Sequence, residues 1–382
     1  MNIRIVIRVV SSLMIVIGVA MATSVPVGWL MGDAERELWQ LGLSAAAVIV
    51  VSGLLRMLIK PEGAVGFREG FGIVTFSWLF ASLSGAVPFV WGADLHWYDA
   101  VFETMSGFTT TGASVLDASL PLTNGETLRQ GIKDLPFGLI YWRNLTQWLG
   151  GMGIVVLSLV ILPSLGIGAH QLYRAEVSGP TEAQFTPRIA ESAKILWLVY
   201  LLFSVLEAAL LYAGGMPLFD AWCNTCGTMA TGGFSPSQAS IGGYESLYLE
   251  MVIVAFMFLA GSNFILHYRA LCGRPISYFR DEEFLFYFAV MVGVTLMLSV
   301  VLTGTDIETM TGDIHADAGF WTSLRYAVFQ VVSLGTTTGF ATANFNLWPA
   351  FCVLVLVYLM FVGGSGGSTG GGMKQSRIIL LV

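Results

Sequence analysis

The sequence predicts an all-α polytopic membrane protein, and three observations carry that expectation. Hydrophobic residues make up 55% of the chain and charged residues only 11%, where a soluble domain carries roughly 25% charged residues. Eight apolar segments reach or approach the roughly 20 residues that a helix needs to cross a bilayer. A short threonine-glycine motif recurs three times, as Thr109-Thr110-Thr111-Gly112-Ala113-Ser114, Met229-Ala230-Thr231-Gly232-Gly233-Phe234-Ser235 and Thr336-Thr337-Thr338-Gly339-Phe340-Ala341.

Taken in order, the spans are Ile5 to Leu30, Trp39 to Ile59, Phe71 to Trp91, Phe137 to Leu165, Ile195 to Ala213, Leu249 to His267, Phe284 to Leu302, and one that begins at Trp348. Arg4 and Arg8 precede the first span, but its apolar core is too long for a signal peptide and lacks a small-residue cleavage site, so it reads as a retained helix. An amphipathic run of about a dozen residues, too short to span, leads into each motif. Tyr98 to Gly112 and Arg325 to Gly339 align without a gap, whereas Phe219 to Gly232 is one residue shorter. With Gly112, Gly232 and Gly339 as equivalents, the spacings are 120 and 107 residues. The repeating unit is thus helix, half-helix, glycine turn, helix, with a period well above that of common solenoids.

Orientation follows from the bias of Lys and Arg toward cytoplasmic loops. With the N-terminus inside, Arg4, Arg8, Arg56, Lys60, Arg68, Arg174, Arg188, Lys194, Arg269, Arg274, Arg280, Lys374 and Arg377 face the cytoplasm, thirteen of the eighteen basic residues. Arg36, Arg129, Lys133, Arg143 and Arg325 fall on the outer side. Acidic residues including Asp33, Asp94, Asp99, Asp117, Asp220, Asp306, Asp313 and Asp317 also gather there, as solvated loops or as a means of raising local cation concentration. All three glycine motifs then lie on one membrane face.

A cation leaving water must have its hydration oxygens replaced, and backbone carbonyls arranged in a ring do this without a fixed charge. Glycine permits the positive-φ conformations that turn successive carbonyls to one side, and β-branched threonines stiffen the approach and add hydroxyl oxygens. On these residues the chain resembles the Trk/Ktr/HKT superfamily of potassium transporters, most closely its TrkH-type members. The two N-terminal helices that precede the first repeat are also similar to that type, as is the run from Arg143 to Gly153 (Arg-Asn-Leu-Thr-Gln-Trp-Leu-Gly-Gly-Met-Gly).

The resemblance implies repeated helix, pore-helix, filter, helix units around a pseudo-fourfold pore, with three of four present. Residues 1–62 would hold the two leading helices, 63–170 repeat one, 171–278 repeat two and 279–382 repeat three. It places the ion filter at Thr110, Thr111 and Gly112, at Thr231, Gly232 and Gly233, and at Thr337, Thr338 and Gly339. K+ would meet Thr111, Gly112, Thr231, Gly232, Thr338 and Gly339. Glycine rather than serine at all three filter positions leans, by the same resemblance, toward potassium.

The segment Gly363-Gly364-Ser365-Gly366-Gly367-Ser368-Thr369-Gly370-Gly371-Gly372 has seven glycines in ten residues. Each would cost a bilayer helix about 1 kcal/mol relative to alanine, so the segment is expected to be a mobile interruption. It resembles the intramembrane gate loop of the family. A phosphate-binding P-loop needs Gly-Lys followed by Ser or Thr, whereas Met373 precedes Lys374 and Gln375 follows it. A loose structural linker is the competing expectation. Ser365 and Ser368 have no histidine in a span to activate them, and nothing pairs a nucleophile with a base, so the chain is not expected to be an enzyme.

Other singled-out residues have narrower readings. Cys223 and Cys226 form a CxxC without a second pair or a nearby histidine, which favours helix packing over metal or redox use. Lys374 is a pore-exit charge or an ordinary inner-side anchor. Arg143 is expected to pair with Asp134 or Glu103. Glu207 is a carboxyl within a span, a place where charge is functional or paired.

At the observed spacing a fourth motif would fall beyond Val382. The expectation is a truncated chain, or one completed by another chain, because three repeats would leave filter carbonyls open to lipid. The resemblance implies a potassium-translocating subunit of a bacterial cytoplasmic (inner) membrane uptake system, a homodimer, and a cytoplasmic TrkA-like nucleotide-binding regulatory subunit. No nucleic-acid partner and no covalently bound cofactor are expected, only K+ as the transported ion. The alternatives are a less selective K+/Na+ channel of Ktr or HKT type, and a non-conducting regulatory fragment. A coupling ion, H+ or Na+, is left open.

Overall fold

The computed structural model describes residues 1–60, 66–153 and 189–380. The chain is an all-α polytopic membrane protein. Five described helices are long and apolar enough to cross a membrane, and a sixth crossing would be a pair bent by 103°. The chain packs as two units, Met1–Trp197 and Leu198–Val382.

In the first unit, α1 (Ile3–Ala22) and α2 (Ser24–Met31) make up one 29-residue span, as the sequence predicts, interrupted only at Thr23, whose backbone stays helical. The Ala22 carbonyl loses its helical partner there because Pro26 has no N–H to donate. Next come α3 (Glu35–Leu58) and α4 (Phe67–Gly92), then a short helix α5 (Trp97–Phe108) and α6 (Phe137–Gly151). The α6 N-terminus is capped by Asp33, whose carboxylate accepts from the Phe137 and Gly138 amides at 2.8 and 2.7 Å. That carboxylate, grouped by sequence with the outer acids, is spent on a helix end. The expected continuation of this span to Leu165, the repeat boundary at 170/171, and Arg174 and Arg188 lie outside the described residues.

α5 and α6 are joined through a buried ion pair. Arg143 Nε lies 2.6 Å from Glu103 Oε1, and both side chains are almost fully buried. The expected alternative partner, Asp134, instead accepts from the backbone amides of Arg129 and Gln130. Close backbone approach completes the joint: a Cβ on Gly150 would sit 2.1 Å from the Phe108 carbonyl oxygen.

α7 (Ile189–Ala213) runs from the end of the first unit into the second. There follow the short helix α8 (Leu218–Met229), α9 (Leu247–Ala260), α10 (Phe264–Leu271) and α11 (Glu282–Leu302). A two-stranded hairpin pairs Ile307–Glu308 with Ile314–His315 before α12 (Phe320–Gly335), α13 (Ala350–Phe361) and α14 (Gln375–Ile379). One core gathers Tyr287, Met291, Leu298, Tyr326, Val331 and Leu356, and a second gathers Leu211, Ile253, Met257, Phe329 and Phe340. Large apolar residues such as Leu54, Met57, Leu198, Val300 and Leu354 are exposed on helix surfaces, as lipid contact allows.

The expected span Leu249 to His267 is not one helix. It breaks at Gly261-Ser262-Asn263, and the Asn263 side chain then caps α10 by accepting from the Ile265 amide at 2.9 Å. The span expected from Trp348 is helical only over Ala350–Phe361, because the glycine segment follows.

Removing one member of the Arg143–Glu103 pair strands the other without solvent. Arg143→Met is expected to destabilise the protein by about 3–5 kcal/mol, and the double variant Arg143→Met/Glu103→Gln to recover part of that. Thermal unfolding of the purified variants in detergent checks both outcomes.

Candidate ion filter and gate

Each of the three short helices α5, α8 and α12 ends in the same turn. The residue after the cap takes positive φ, 53° at Thr110, 52° at Thr231 and 63° at Thr337. Two residues later φ is positive again, 77° at Gly112, 75° at Gly233 and 88° at Gly339. Thr111, Gly232 and Thr338 between them are not left-handed. A left-handed β-branched residue costs on the order of 1–3 kcal/mol and survives only where its surroundings over-determine it. Three such threonines at one repeat position mark a built feature.

This repetition corrects the register of the middle motif. Gly233, not Gly232, is the structural equivalent of Gly112 and Gly339, and Gly232 matches Thr111 and Thr338. With that register Phe219 to Gly233 is as long as Tyr98 to Gly112, so the middle run has no missing residue. The hydrogen bonds agree. The amide of the middle residue returns to the helix from Thr111 to Ser106 O (2.9 Å), Gly232 to Gly227 O (2.9 Å) and Thr338 to Ser333 O (2.8 Å).

The turns are locked from behind. The Ser106 hydroxyl donates to Ala113 O and the Ser333 hydroxyl to Phe340 O, each at 2.6 Å. At the equivalent position Gly227 leaves room, since a Cβ there would sit 2.6 Å from Phe234 O. Hydroxyl pairs Thr109–Thr111 and Thr336–Thr338, each 2.7 Å apart, tie the first and third turns. Thr231 Oγ1 donates to Ala230 O at 2.6 Å. These hydroxyls are thus engaged with protein, while the alternating backbone is what distinguishes the turn.

A further set of positions, of which the sequence singled out only Glu103 and that as a partner for Arg143, bonds to the chain that follows each glycine. Nine residues before the filter glycines stand Glu103, Asn224 and Gln330. Glu103 accepts from the Ser114 hydroxyl (2.9 Å) and the Val115 amide (3.1 Å). Asn224 donates to the Tyr244 hydroxyl at 3.1 Å, and Gln330 to Ala343 O at 3.4 Å. The signal was available as one polar position inside each amphipathic run, but only in the corrected register. Tyr244 also donates to Asp220 at 3.0 Å, and burial first, then that carboxylate, raises its hydroxyl pKa. Arg325 on α12 grips Glu250 on α9 with two hydrogen bonds of 2.7 Å, linking the second and third motifs.

In the second unit the two filter turns touch directly. A Cβ on Gly233 would meet the Thr338 carbonyl oxygen at 2.1 Å. The glycine segment lies against the same turns. Thr369 Oγ1 donates toward Met229 O and Ala260 O at 3.0 and 3.1 Å, and the Gly371 amide donates to Thr337 Oγ1 at 2.6 Å. Ser365 N donates to Gly261 O (2.9 Å), and Phe264 N donates to Gly367 O (3.1 Å). The neck is closed by Gly363 N to Met373 O and Met373 N to Phe361 O. Glu283 accepts from the Gly366 and Ser376 amides. The segment is therefore folded and held by hydrogen bonds, many of them from its backbone, rather than a loose linker. Glycine is required where the chain doubles back, since a Cβ on Gly363 would lie 1.8 Å from Gly371 O.

Lys374 Nζ donates to Gly370 O at 2.5 Å, so it belongs to the segment itself. Cys223 and Cys226 are buried and not joined in a disulfide, and no cluster of three metal-ligating side chains occurs among the described residues. Glu207 is fully buried beside Tyr200, Cys226 and Thr228.

Short half-helices ending in strained carbonyl turns, within an apolar helical protein, define the class of membrane cation-transport proteins. Residues 42–382 match the family model described as "TrkH: Cation transport protein". The chain belongs to the TrkH family. It is 39% identical over 389 residues to the Trk system potassium uptake protein TrkH of Halomonas elongata, covering 100% of this chain and 75% of that protein. To the protein of the same name from Salmonella typhimurium it is 42% identical over 326 residues, covering 84% of this chain and 63% of that one. The crystal structure of the potassium transporter TrkH from Vibrio parahaemolyticus matches with a TM-score of 0.82 at 32% identity, covering 100% of this chain and 74% of that chain.

The Gly233 contact gives a structural test. Gly233→Ala is expected to lower the unfolding temperature in detergent, because both its φ and the Thr338 carbonyl oppose a side chain. Gly293→Ala, with open space around it, should leave that temperature unchanged or raise it.

Proposed function

We propose that the chain is the potassium-translocating part of a Trk-type uptake system, passing K+ inward through a filter of backbone carbonyls above a glycine gate. The observation that carries this reading is the turn repeated at Thr110–Gly112, Thr231–Gly233 and Thr337–Gly339, with its alternating φ behind three matched half-helices. Its carbonyls would replace the hydration oxygens of K+, which enters without meeting a fixed charge. The outer acids left uncapped would concentrate cations at the entrance. Relatives that bear the name potassium uptake protein support the choice of ion.

In this reading the units are residues 1–62, 63–170, 171–278 and 279–382, the repeats surround a pseudo-fourfold pore, and the N-terminus is cytoplasmic. The filter residues are those named from the sequence, with Gly233 in the place first given to Gly232. The gate comprises Gly363, Gly364, Gly366, Gly367, Ser368, Thr369, Gly370, Gly371 and Gly372, bonded to the carbonyl at the end of α8 and to Thr337. A homodimer and a cytoplasmic nucleotide-binding regulatory subunit complete the system, in the bacterial cytoplasmic membrane.

Expression in cells that lack potassium uptake, together with a fourth helix, half-helix, glycine-turn, helix unit to close the pore, tests the reading. Growth at low potassium should be restored, with Rb+ influx exceeding Na+ influx. Gly112→Ser is expected to lower that ratio on the order of tenfold, about 1.4 kcal/mol of discrimination; an unaltered ratio would remove Gly112 from the filter. Thr369→Val leaves Met229 O and Ala260 O without the hydroxyl and should loosen the segment. Its expected outcome is a severalfold higher basal Rb+ flux, measured in vesicles against protein abundance.

A further inference from the structure

A groove of about 630 Å³ opens between α1, α3 and α4 of the first unit, a size within the roughly 300–1,000 Å³ of small-molecule sites. Its walls are almost wholly apolar, with Val10 and Met14 from α1, Val48 and Val51 from α3, and Phe76 and Phe80 from α4. It runs along the spans to Met1, Ile3 and Leu55 at the end where the N-terminus lies. Water has no hydrogen-bond partners along such walls, whereas a hydrocarbon chain does not need any.

That end of the groove is strongly positive. On α3, Val48, Ser52 and Arg56 follow one another at four-residue intervals, so Arg56 continues a wall of the groove, and the exposed Lys60 follows two residues beyond the helix end at Leu58. Arg4 and Arg8 stand beside lining residues Ile3 and Ile7 on α1, and Arg68 starts α4. Arg8 is committed to the end of α3, donating to Ile59 O at 2.9 Å. Glu69, the acid described at this end, is taken up by the amides of Asn2 and Gly66 at 2.8 and 3.0 Å and faces the N-terminal amine at 3.9 Å. Arg56 and Lys60 make no ion pair among the described residues.

We infer that this groove is a binding site for one anionic phospholipid, an acyl chain lying along α1, α3 and α4 and the phosphate held by Arg56 and Lys60. An apolar slot ending in uncompensated cations fits an amphiphile of that charge and disfavours a zwitterionic lipid, whose ammonium would face the same cations. Lipid held there would brace the two leading helices against α4 from the outside.

The test uses the full chain, purified and delipidated in detergent, with phosphatidylglycerol or phosphatidylcholine added back. Bound lipid is counted by native mass spectrometry, and stabilisation is read from the unfolding temperature. Phosphatidylglycerol is expected to saturate near one molecule per chain, at least tenfold more tightly than phosphatidylcholine, and to raise the unfolding temperature. Arg56→Gln/Lys60→Gln should abolish that preference, and Val51→Trp, which fills the groove and keeps both charges, should abolish tight binding of either lipid. Equal binding of the two lipids by the wild-type chain overturns the inference, as does a preference that survives Arg56→Gln/Lys60→Gln. Disulfide cross-linking of Val51→Cys between two copies, unaffected by added phosphatidylglycerol, would assign the groove to a second chain and overturn it as well.

Discussion

The helix breaks and glycine turns described within the spans answer to one constraint: a backbone amide or carbonyl at membrane depth must find its partner within the protein. The second unit shows the constraint met by exchange. The helix break at Gly261-Ser262-Asn263 frees the carbonyls of Ala260 and Gly261, and the glycine segment brings Thr369 and the Ser365 amide to them. The segment's own carbonyl at Gly367 is met in turn by Phe264 N, the first amide of the resumed helix. Neither irregularity would be tolerable alone. Together they form a hydrogen-bonded body directly against the turns at Met229 and Thr337.

The same constraint explains how strained turns persist three times over. A left-handed threonine needs surroundings that hold it, and each turn has them: a returning amide bond to the helix, a serine lock from position 106 or 333 or the close approach of Gly227 to Phe234, and a polar side chain at position 103, 224 or 330. The chemistry differs from repeat to repeat while the geometry does not. Glutamate in the first repeat requires Arg143 as a buried counter-charge, whereas asparagine and glutamine in the others do not. The middle repeat has glycine where its neighbours carry the serine lock, and Ala230 with Gly232 where they carry a hydroxyl pair. Its turn is held by direct backbone approach, Gly227 to Phe234 and Gly233 to Thr338.

The glycine segment bonds to both of the turns that touch each other: Thr369 reaches the carbonyl at the end of α8 and the Gly371 amide reaches Thr337. Arg325 and Glu250 clamp the same pair of repeats with a two-point interaction, and burial on the Glu250 side strengthens it.

By itself the sequence determined the membrane-embedded helical class, the positions of most spans, the three half-helices and the abnormal glycine segment. Those features rest on hydrophobic length and on residue types with strong local preferences, which need no knowledge of neighbours. Tertiary structure alone decided the rest. Gly233 rather than Gly232 is the equivalent glycine because φ, not residue identity, defines the turn, and two adjacent glycines look alike in a sequence. The span from Leu249 to His267 breaks because a distant loop supplies partners for the freed carbonyls, and hydropathy averages over such a break. Arg143 chose Glu103 over Asp134 because the packing of α5 on α6 buries them together. The glycine segment is a bonded body rather than a loose linker for the same reason: the amides of Ser365 and Thr369 are matched by the distant carbonyls of Gly261 and Ala260, and composition does not record who the partners are.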